Sequence, residues 1–307
     1  MNLVSVLSIV LALVMAPLLL GVINRTKAIF AGRHGAPLVQ VYRDIWKLLQ
    51  KGFVYSGTTT WVFRISPLVG VACVVCAVML IPTLGNRALF AFQGDIIFMA
   101  YLLGLMRFFL VVAALDTGSS FEGMGASREV TFSAIAEPAL LLGMAVLAKL
   151  SGTMSLSGMF AGLNSAAWLA AGPALAVTVA SFLIILLSEN ARIPVDDPNT
   201  HLELTMIHEV MVLDYGGPDL GVILYTASLK LWIFSALIVN TVLSCLEMKG
   251  LTAVGAFAGG MILVAILVGV IESVMARLRL LTVPRLLSSA VVFSILAFIL
   301  VLRLSGR

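Results

Sequence analysis

Eight stretches of about twenty residues run along this chain almost without charge, and that is the length of helix that crosses the hydrocarbon core of a bilayer. They fall at about 3–23, 65–84, 95–115, 130–150, 167–187, 220–244, 252–275 and 286–303. Lipid offers no water to backbone amides and carbonyls, so such stretches satisfy themselves as helices. Composition agrees. Of 307 residues, 61% are hydrophobic and 11% charged, whereas a soluble domain carries roughly 25% charge. The expectation is an all-α polytopic membrane protein with eight transmembrane helices in a single integral membrane domain, 1–307. A soluble enzyme, a disulfide scaffold, a disordered chain and a nucleic-acid binder are excluded. The first stretch does not read as a signal peptide, because no basic residues precede it, it is too long, and no A-x-A site follows.

Twelve of the nineteen Lys and Arg lie in the odd-numbered connections, four lie in the even ones or at the C-terminal end, and three lie within spans. The positive-inside bias therefore puts the odd connections in the cytoplasm and both termini in the periplasm of an inner membrane. The cytoplasmic connections are also the longer ones, so the working face is expected there.

The first connection contains LVQVYRDIWKLLQKG after Gly35-Ala36-Pro37. Leu38, Val41, Tyr42, Ile45, Trp46 and Leu49 recur at helical spacing, opposite a polar face. This predicts an amphipathic helix in the membrane interface. It reads either as a generic interfacial helix or as a docking shelf for a peripheral partner through Arg33, Gln40, Tyr42, Arg43, Asp44 and Lys47. Cys73 and Cys76 form a C-x-x-C inside an apolar run with no second pair and no nearby His. A cluster or structural zinc normally takes four ligands, so the pair reads as small packing residues, and no metal or cofactor is expected in this chain.

The remaining charges concentrate. The third connection, DTGSSFEGMGASREVTFSAIAEP, reads as a tight turn ringed by Asp116, Glu122, Arg128 and Glu129. The fifth, SENARIPVDDPNTHLELTMIHEVMVLDYGGPDL, sets Glu189, Asp196, Asp197, Glu203, Glu209, Asp214 and Asp219 against Arg192 alone, with His201 and His208. Pro194 and Pro198 predict irregular backbone over 189–198, and a helix is expected from His201 to about Leu213. The two histidines lack the H-E-x-x-H spacing of a zinc site. Their stretch reads either as a solvated loop face or as a proton funnel and partner surface.

Charges inside spans are functional candidates by default. Arg107, Glu137 and Lys230 fall at similar depth beneath the cytoplasmic face, with Glu272 above them. On facing helices they would pair into a hydrated acid–base layer, either as static glue or as a proton path. No acid of equal depth appears in the outer half, so a path continuing sideways into a neighbouring subunit is expected. The candidate ion-coupling residues are Arg107, Asp116, Arg128, Glu129, Glu137, Glu189, Arg192, Asp196, Asp197, Glu203, Glu209, Asp214, Lys230 and Glu272.

Four segments carry a family resemblance: GRHGAPLVQVYRDIWKLLQKG, LDTGSSFEGMGASREVTFSAIAEP, the fifth connection quoted above, and IESVMARLRLLTVPR. The chain resembles the subunit 1 family of respiratory NADH dehydrogenase (complex I). It looks closer to the membrane subunit of group 4 nickel–iron hydrogenases of the formate hydrogenlyase type. The resemblance implies a membrane anchor that links a peripheral electron-transfer arm to proton or sodium translocation. It implies partners: hydrogenase-like large and small subunits, a ferredoxin-like iron–sulfur subunit and antiporter-like membrane subunits. The iron–sulfur clusters, and nickel–iron if present, would sit in those partners. By motif, Arg128 and Glu137 match the family's Arg and Glu spaced nine apart, and Glu189, Arg192, Pro194 and Asp196 match its E-x-x-R-x-P-x-D core. Two places depart from complex I. Asn24-Arg25 stands where complex I has Glu-Arg, and Val195-Asp196-Asp197-Pro198 replaces its Phe-Asp run. These departures weigh against the first alternative, a quinone-binding complex I subunit. The second alternative, a stand-alone ion transporter, lacks the inverted repeats that class shows.

Overall fold

The computed structural model describes residues 3–196, 206–248 and 250–305. Among them are ten α-helices and no strand: α1 (Leu3–Phe30), α2 (Gln40–Leu49), α3 (Trp61–Leu80), α4 (Asp95–Asp116), α5 (Ser120–Ser151), α6 (Leu156–Gly162), α7 (Ser165–Glu189), α8 (Gly217–Leu243), α9 (Gly250–Val274) and α10 (Val283–Ser305). All but α2 and α6 are long and apolar enough to cross a membrane, and these eight correspond to the eight expected spans.

α8 is the axis of the bundle. It touches α1, α2, α3, α7 and α9, while α3 lies along α4, α1 along α9, and α10 along α5 and α7. Its stretch 228–241 is buried throughout, and Trp232 meets Phe257 of α9 edge-on at 5.9 Å. Lipid removes the hydrophobic drive between helices, so close packing and short polar links carry the association. Ser294 of α10 shares a 2.8 Å hydrogen bond with Ser181 of α7 and donates to the Ala139 carbonyl of α5 at 2.8 Å. Asn240 of α8 donates to the Pro82 carbonyl at 2.8 Å. Cys73 faces the core and Cys76 faces outward from α3.

Pro17 lies inside α1 and has no amide for the Leu13 carbonyl one turn back. Tyr225 of α8 donates its hydroxyl to that carbonyl at 2.9 Å, and Tyr42 of α2 donates to the neighbouring Val14 carbonyl. α2 thus lies across α1 and α8. The Leu38 carbonyl just ahead of α2 occupies the space a side chain would need at Gly21 of α1.

α7 stops short of its neighbours. Glu189, its last residue, meets Arg107 nine residues before the end of α4, and Arg107 also meets Glu129 nine residues into α5. At 1.5 Å per residue, α4 and α5 run about 13 Å past the end of α7. The recess so formed is filled by residues 191–196, irregular and buried. Irregular backbone at such depth is tolerated when protein surrounds it, and here it is bonded throughout. Arg192 N donates to the Leu187 carbonyl at 2.8 Å, and Leu278 N donates to the Pro194 carbonyl at 2.9 Å.

Two expectations need correction. The third connection is not a ringed turn. α5 begins at Ser120, so Glu122, Arg128 and Glu129 stand on a helix ten residues longer at its start than the apolar run suggested. Its glycines and serines are carried by contacts to the segment after residue 206; a side chain at Gly125 would collide with Val210. The helix expected from His201 to about Leu213 is also absent over the part that is described. From Met206 the chain makes only a 3-10 turn, Glu209–Val212. The Asp196 carboxylate takes the Ile207 amide at 2.9 Å, and Arg128 donates to the Met206 carbonyl at 2.8 Å, so these groups are held outside any helix. Asp197, His201 and Glu203 lie outside the described residues.

Candidate functional site

Arg107 of α4 is the hub of a buried ionic cluster. Its Nε donates to Glu129 Oε1 at 3.1 Å, its Nη1 donates to Glu137, and its Nη2 donates to both oxygens of Glu189 at 2.6 Å. Lys230 of α8 reaches the same Glu189 at 2.9 Å. Four helices therefore meet through five charges. A guanidinium suits the centre because its planar fork serves several carboxylates at once and does not lose its proton. Glu189 has only 6% of its side chain exposed, whereas Glu137 has 51%. The cluster thus runs from the closed interior to a lateral face of the bundle.

A cavity of about 210 Å³ opens beside it, bordered by Arg107, Glu129, Glu189, Arg192, His208 and Lys230 on one side and by apolar side chains such as Leu20, Pro67, Met106 and Leu224 on the other. A second cavity of about 10 Å³ is enclosed by Glu129, Ser133, Ser188, Glu189 and His208, with Phe132, Val195 and Ile207 behind them. His208 borders both. Its Nε2 lies 3.4 Å from Glu129 Oε2, yet among the described residues neither ring nitrogen makes a hydrogen bond.

Glu272 does not join this layer, contrary to expectation. It pairs with Lys27 of α1 at 2.8 Å and with Arg192 at 3.4 Å. The cause is the length of α1, which continues to Phe30 and brings Lys27 alongside the end of α9. Asp196 receives Arg277 at 2.9 Å. These two links fasten the buried segment to α1, α9 and the chain after α9.

The other candidates take separate places. Asp116 accepts the Thr60 amide at 2.6 Å and the Thr60 hydroxyl at 2.9 Å at the start of α3, away from Arg107. Asp214 is exposed, and its amide donates to the buried Glu122 at 3.1 Å. Glu209 borders the larger cavity. Tyr215 stacks on Phe63 at 3.9 Å and donates to the Phe63 carbonyl at 2.8 Å. Burial pushes its phenol well above the ordinary value, opposed by a Ser66 hydrogen bond and aided by Asp219, Glu122 and Asp116. On α2, Arg43 and Lys47 are exposed, as is Arg33 before it. Gln40 donates to Asp44 at 2.7 Å, and Tyr42 turns inward to α1 rather than toward a partner.

In the sequence Lys27 stands only as a basic residue directly beyond an apolar run that could continue as helix. His208 stands there with His201 in an acid-rich stretch that reads either as a solvated loop face or as a proton funnel, without being paired to Glu129.

The family model described as NADH dehydrogenase matches residues 2–303. The chain belongs to the NADH dehydrogenase family, of the complex I subunit 1 type. Within that family it is 32% identical over 293 residues to formate hydrogenlyase subunit 4 of Escherichia coli (strain K12), covering 92% of this chain and 93% of that protein. It is 30% identical over 285 residues to hydrogenase-4 component C of the same organism, covering 89% and 87% respectively. A chain of the membrane-bound sulfane sulfur reductase, an archaeal respiratory membrane complex, shares the fold with a TM-score of 0.76 at 19% identity over 95% of this chain and 98% of that one. The NADH dehydrogenase-family chain is thus a multi-pass membrane protein whose relatives are subunits of hydrogenase and respiratory complexes.

Proposed function

We propose that this chain is the membrane anchor and ion-coupling subunit of a group 4 membrane-bound nickel–iron hydrogenase or formate hydrogenlyase-like complex. It joins a peripheral iron–sulfur and hydrogenase arm on the cytoplasmic side to proton or sodium translocation in antiporter-like membrane neighbours. The carrying observation is the five-charge cluster, which starts at the buried Glu189 beside the end bearing the long connections and reaches a lateral face at Glu137. In this reading the end carrying α2 faces the cytoplasm, following the bias of Lys and Arg, and α2 lies in the interface. The redox groups belong to the partners, and this subunit supplies ionisable groups only.

The test is the number of ions moved per electron in vesicles containing the assembled complex. Glu137→Gln is expected to lower it several-fold. An unchanged ratio removes the role of Glu137, and purification of the chain as a lone stable protein with ion flux of its own would replace the reading with a transporter.

One observation favours a second reading. The larger cavity has apolar walls and a charged floor, which suits an amphiphile with a polar head, as a quinone-binding subunit would require. Activity indifferent to quinone and to quinone-site inhibitors would dismiss it.

A further inference from the structure

The ionic cluster does not balance. Among the described residues, two cations, Arg107 and Lys230, pair with three carboxylates, the buried Glu129 and Glu189 and the half-exposed Glu137, so the carboxylates outnumber the cations by one. Uncompensated charge away from water is strongly unfavourable, so the cluster calls for one more proton. The carboxylates are not equal hosts. Glu189 is held by both cations, at 2.6 Å and 2.9 Å, and Glu137 is paired to Arg107 at a partly open face. Glu129 is bonded to Arg107 through one oxygen at 3.1 Å, and its other oxygen points at the His208 ring.

We infer that His208 and Glu129 share the proton that balances this cluster, and that His208 passes it between the two cavities. The inference rests on the coupling role proposed above. Imidazole is the side chain whose charge changes within the physiological range, and its two nitrogens allow entry at one and exit at the other. Among the described residues neither nitrogen makes a hydrogen bond elsewhere, and both are used in the transfer. The backbone of His208 is anchored, since its amide leans on the Asp196 carboxylate at 3.4 Å. The step is a plain proton transfer. The N–H bond at Nε2 breaks, an O–H bond forms at Glu129 Oε2, and imidazolium plus carboxylate become imidazole plus carboxylic acid. At 3.4 Å the pair closes by a small ring rotation. The smaller cavity, about 10 Å³, is the size of one water, and Ser133 and Ser188 supply the further polar partners such a water needs.

The groups that set this transfer come from every side: Arg128 and Glu129 on α5, Glu189 on α7, Arg107 on α4, Lys230 on α8, and Arg192, Asp196 and Glu209 along the connection that carries His208. None of the others has this freedom. Arg107 keeps its proton at any working pH, and Lys230 and Glu189 hold each other.

The first measurement uses the intact chain in lipid nanodiscs, with isotope-labelled histidine and with His34 and His201 changed to Gln, which leaves His208 as the one imidazole of three. Its ring nitrogen signals are followed through a pH titration, and Glu129→Gln, which removes the facing carboxylate, is expected to change them. Signals indifferent to Glu129→Gln overturn the inference. The second measurement uses the assembled complex. His208→Gln should lower ions per electron several-fold and flatten the pH profile, and imidazole added to His208→Ala should restore part of the loss. A wild-type ratio and profile in His208→Gln overturns it. If the wild-type complex moves no ions, the coupling role fails, while the titration still decides the His208–Glu129 pair.

Discussion

Around Arg107, charge number and burial act together on single residues. Removing one partner of a buried ion pair costs about 3–5 kcal/mol, because the other is left without compensation. Glu189→Gln takes from Lys230 its carboxylate partner, while Arg107 keeps Glu129 and Glu137. It is expected to lower the thermal unfolding midpoint of the detergent-solubilised chain, and Lys230→Met in the same chain should recover part of that loss. No recovery would mean that Glu189 acts through shape rather than charge. Arg107→Lys should be nearly as harmful as Arg107→Ala, since a point charge does not span three carboxylates. Tyr215 makes a pH prediction of definite sign. Its folded pKa is raised above its unfolded value, first by burial. The stability it lends is therefore complete below about pH 10, the ordinary phenol value, and is lost as pH rises toward the folded value. Alkaline titration followed by tyrosinate absorbance should show Tyr215 ionising only as the helical signal falls, and Tyr215→Phe should remove that late component. The residues themselves were legible in the sequence, because a charge inside an apolar run stands out. Their pairing was not. Glu272 was expected to pair with the Arg107 layer from just above it, and depth does not say which helix faces which.

Among the elements, the eight spans were legible because lipid imposes both length and composition on a crossing helix. The overhangs were not, since beyond the hydrocarbon a helix is set by packing and not by hydropathy. The first turns of α5, rich in Gly and Ser, are held by the segment around Val210, and the last turns of α1 are held by Lys27 to Glu272. Pro17 within α1 offers a test at this scale. Tyr225→Phe strips the half-buried Leu13 carbonyl of its donor, a loss of about 0.5–1.5 kcal/mol. Pro17→Ala restores a backbone amide there, so the double variant should be more stable than Tyr225→Phe alone, measured by thermal unfolding. Gly21→Ala places a methyl group where the Leu38 carbonyl now lies. It should lift α2 from α1, read as faster hydrogen exchange over 40–49 and easier proteolysis of the connection before it.

At the scale of the whole molecule, the end of the bundle with the long connections is both the charged end and the one where a helix stops early. The chain after α7 folds back into the recess and reaches α9 through Arg192 and Glu272, and Arg277 through Asp196. A force applied there by a bound neighbour would therefore be transmitted to α1, α9 and the cluster without crossing the bundle. Glu272→Gln, which cuts the link to Arg192 and Lys27, is expected to slow ion movement more than electron transfer in the assembled complex, and equal slowing of both would argue against such transmission. Glu137 adds a different consequence. Half of its side chain lies on the outside of α5, about 26 Å from one end of that helix, where hydrocarbon would surround a chain that has no neighbour. A charge in that setting is disfavoured. A newly inserted copy is thus marked as incomplete until another subunit covers that carboxylate, which gives membrane quality control a feature by which to tell orphan copies from assembled ones.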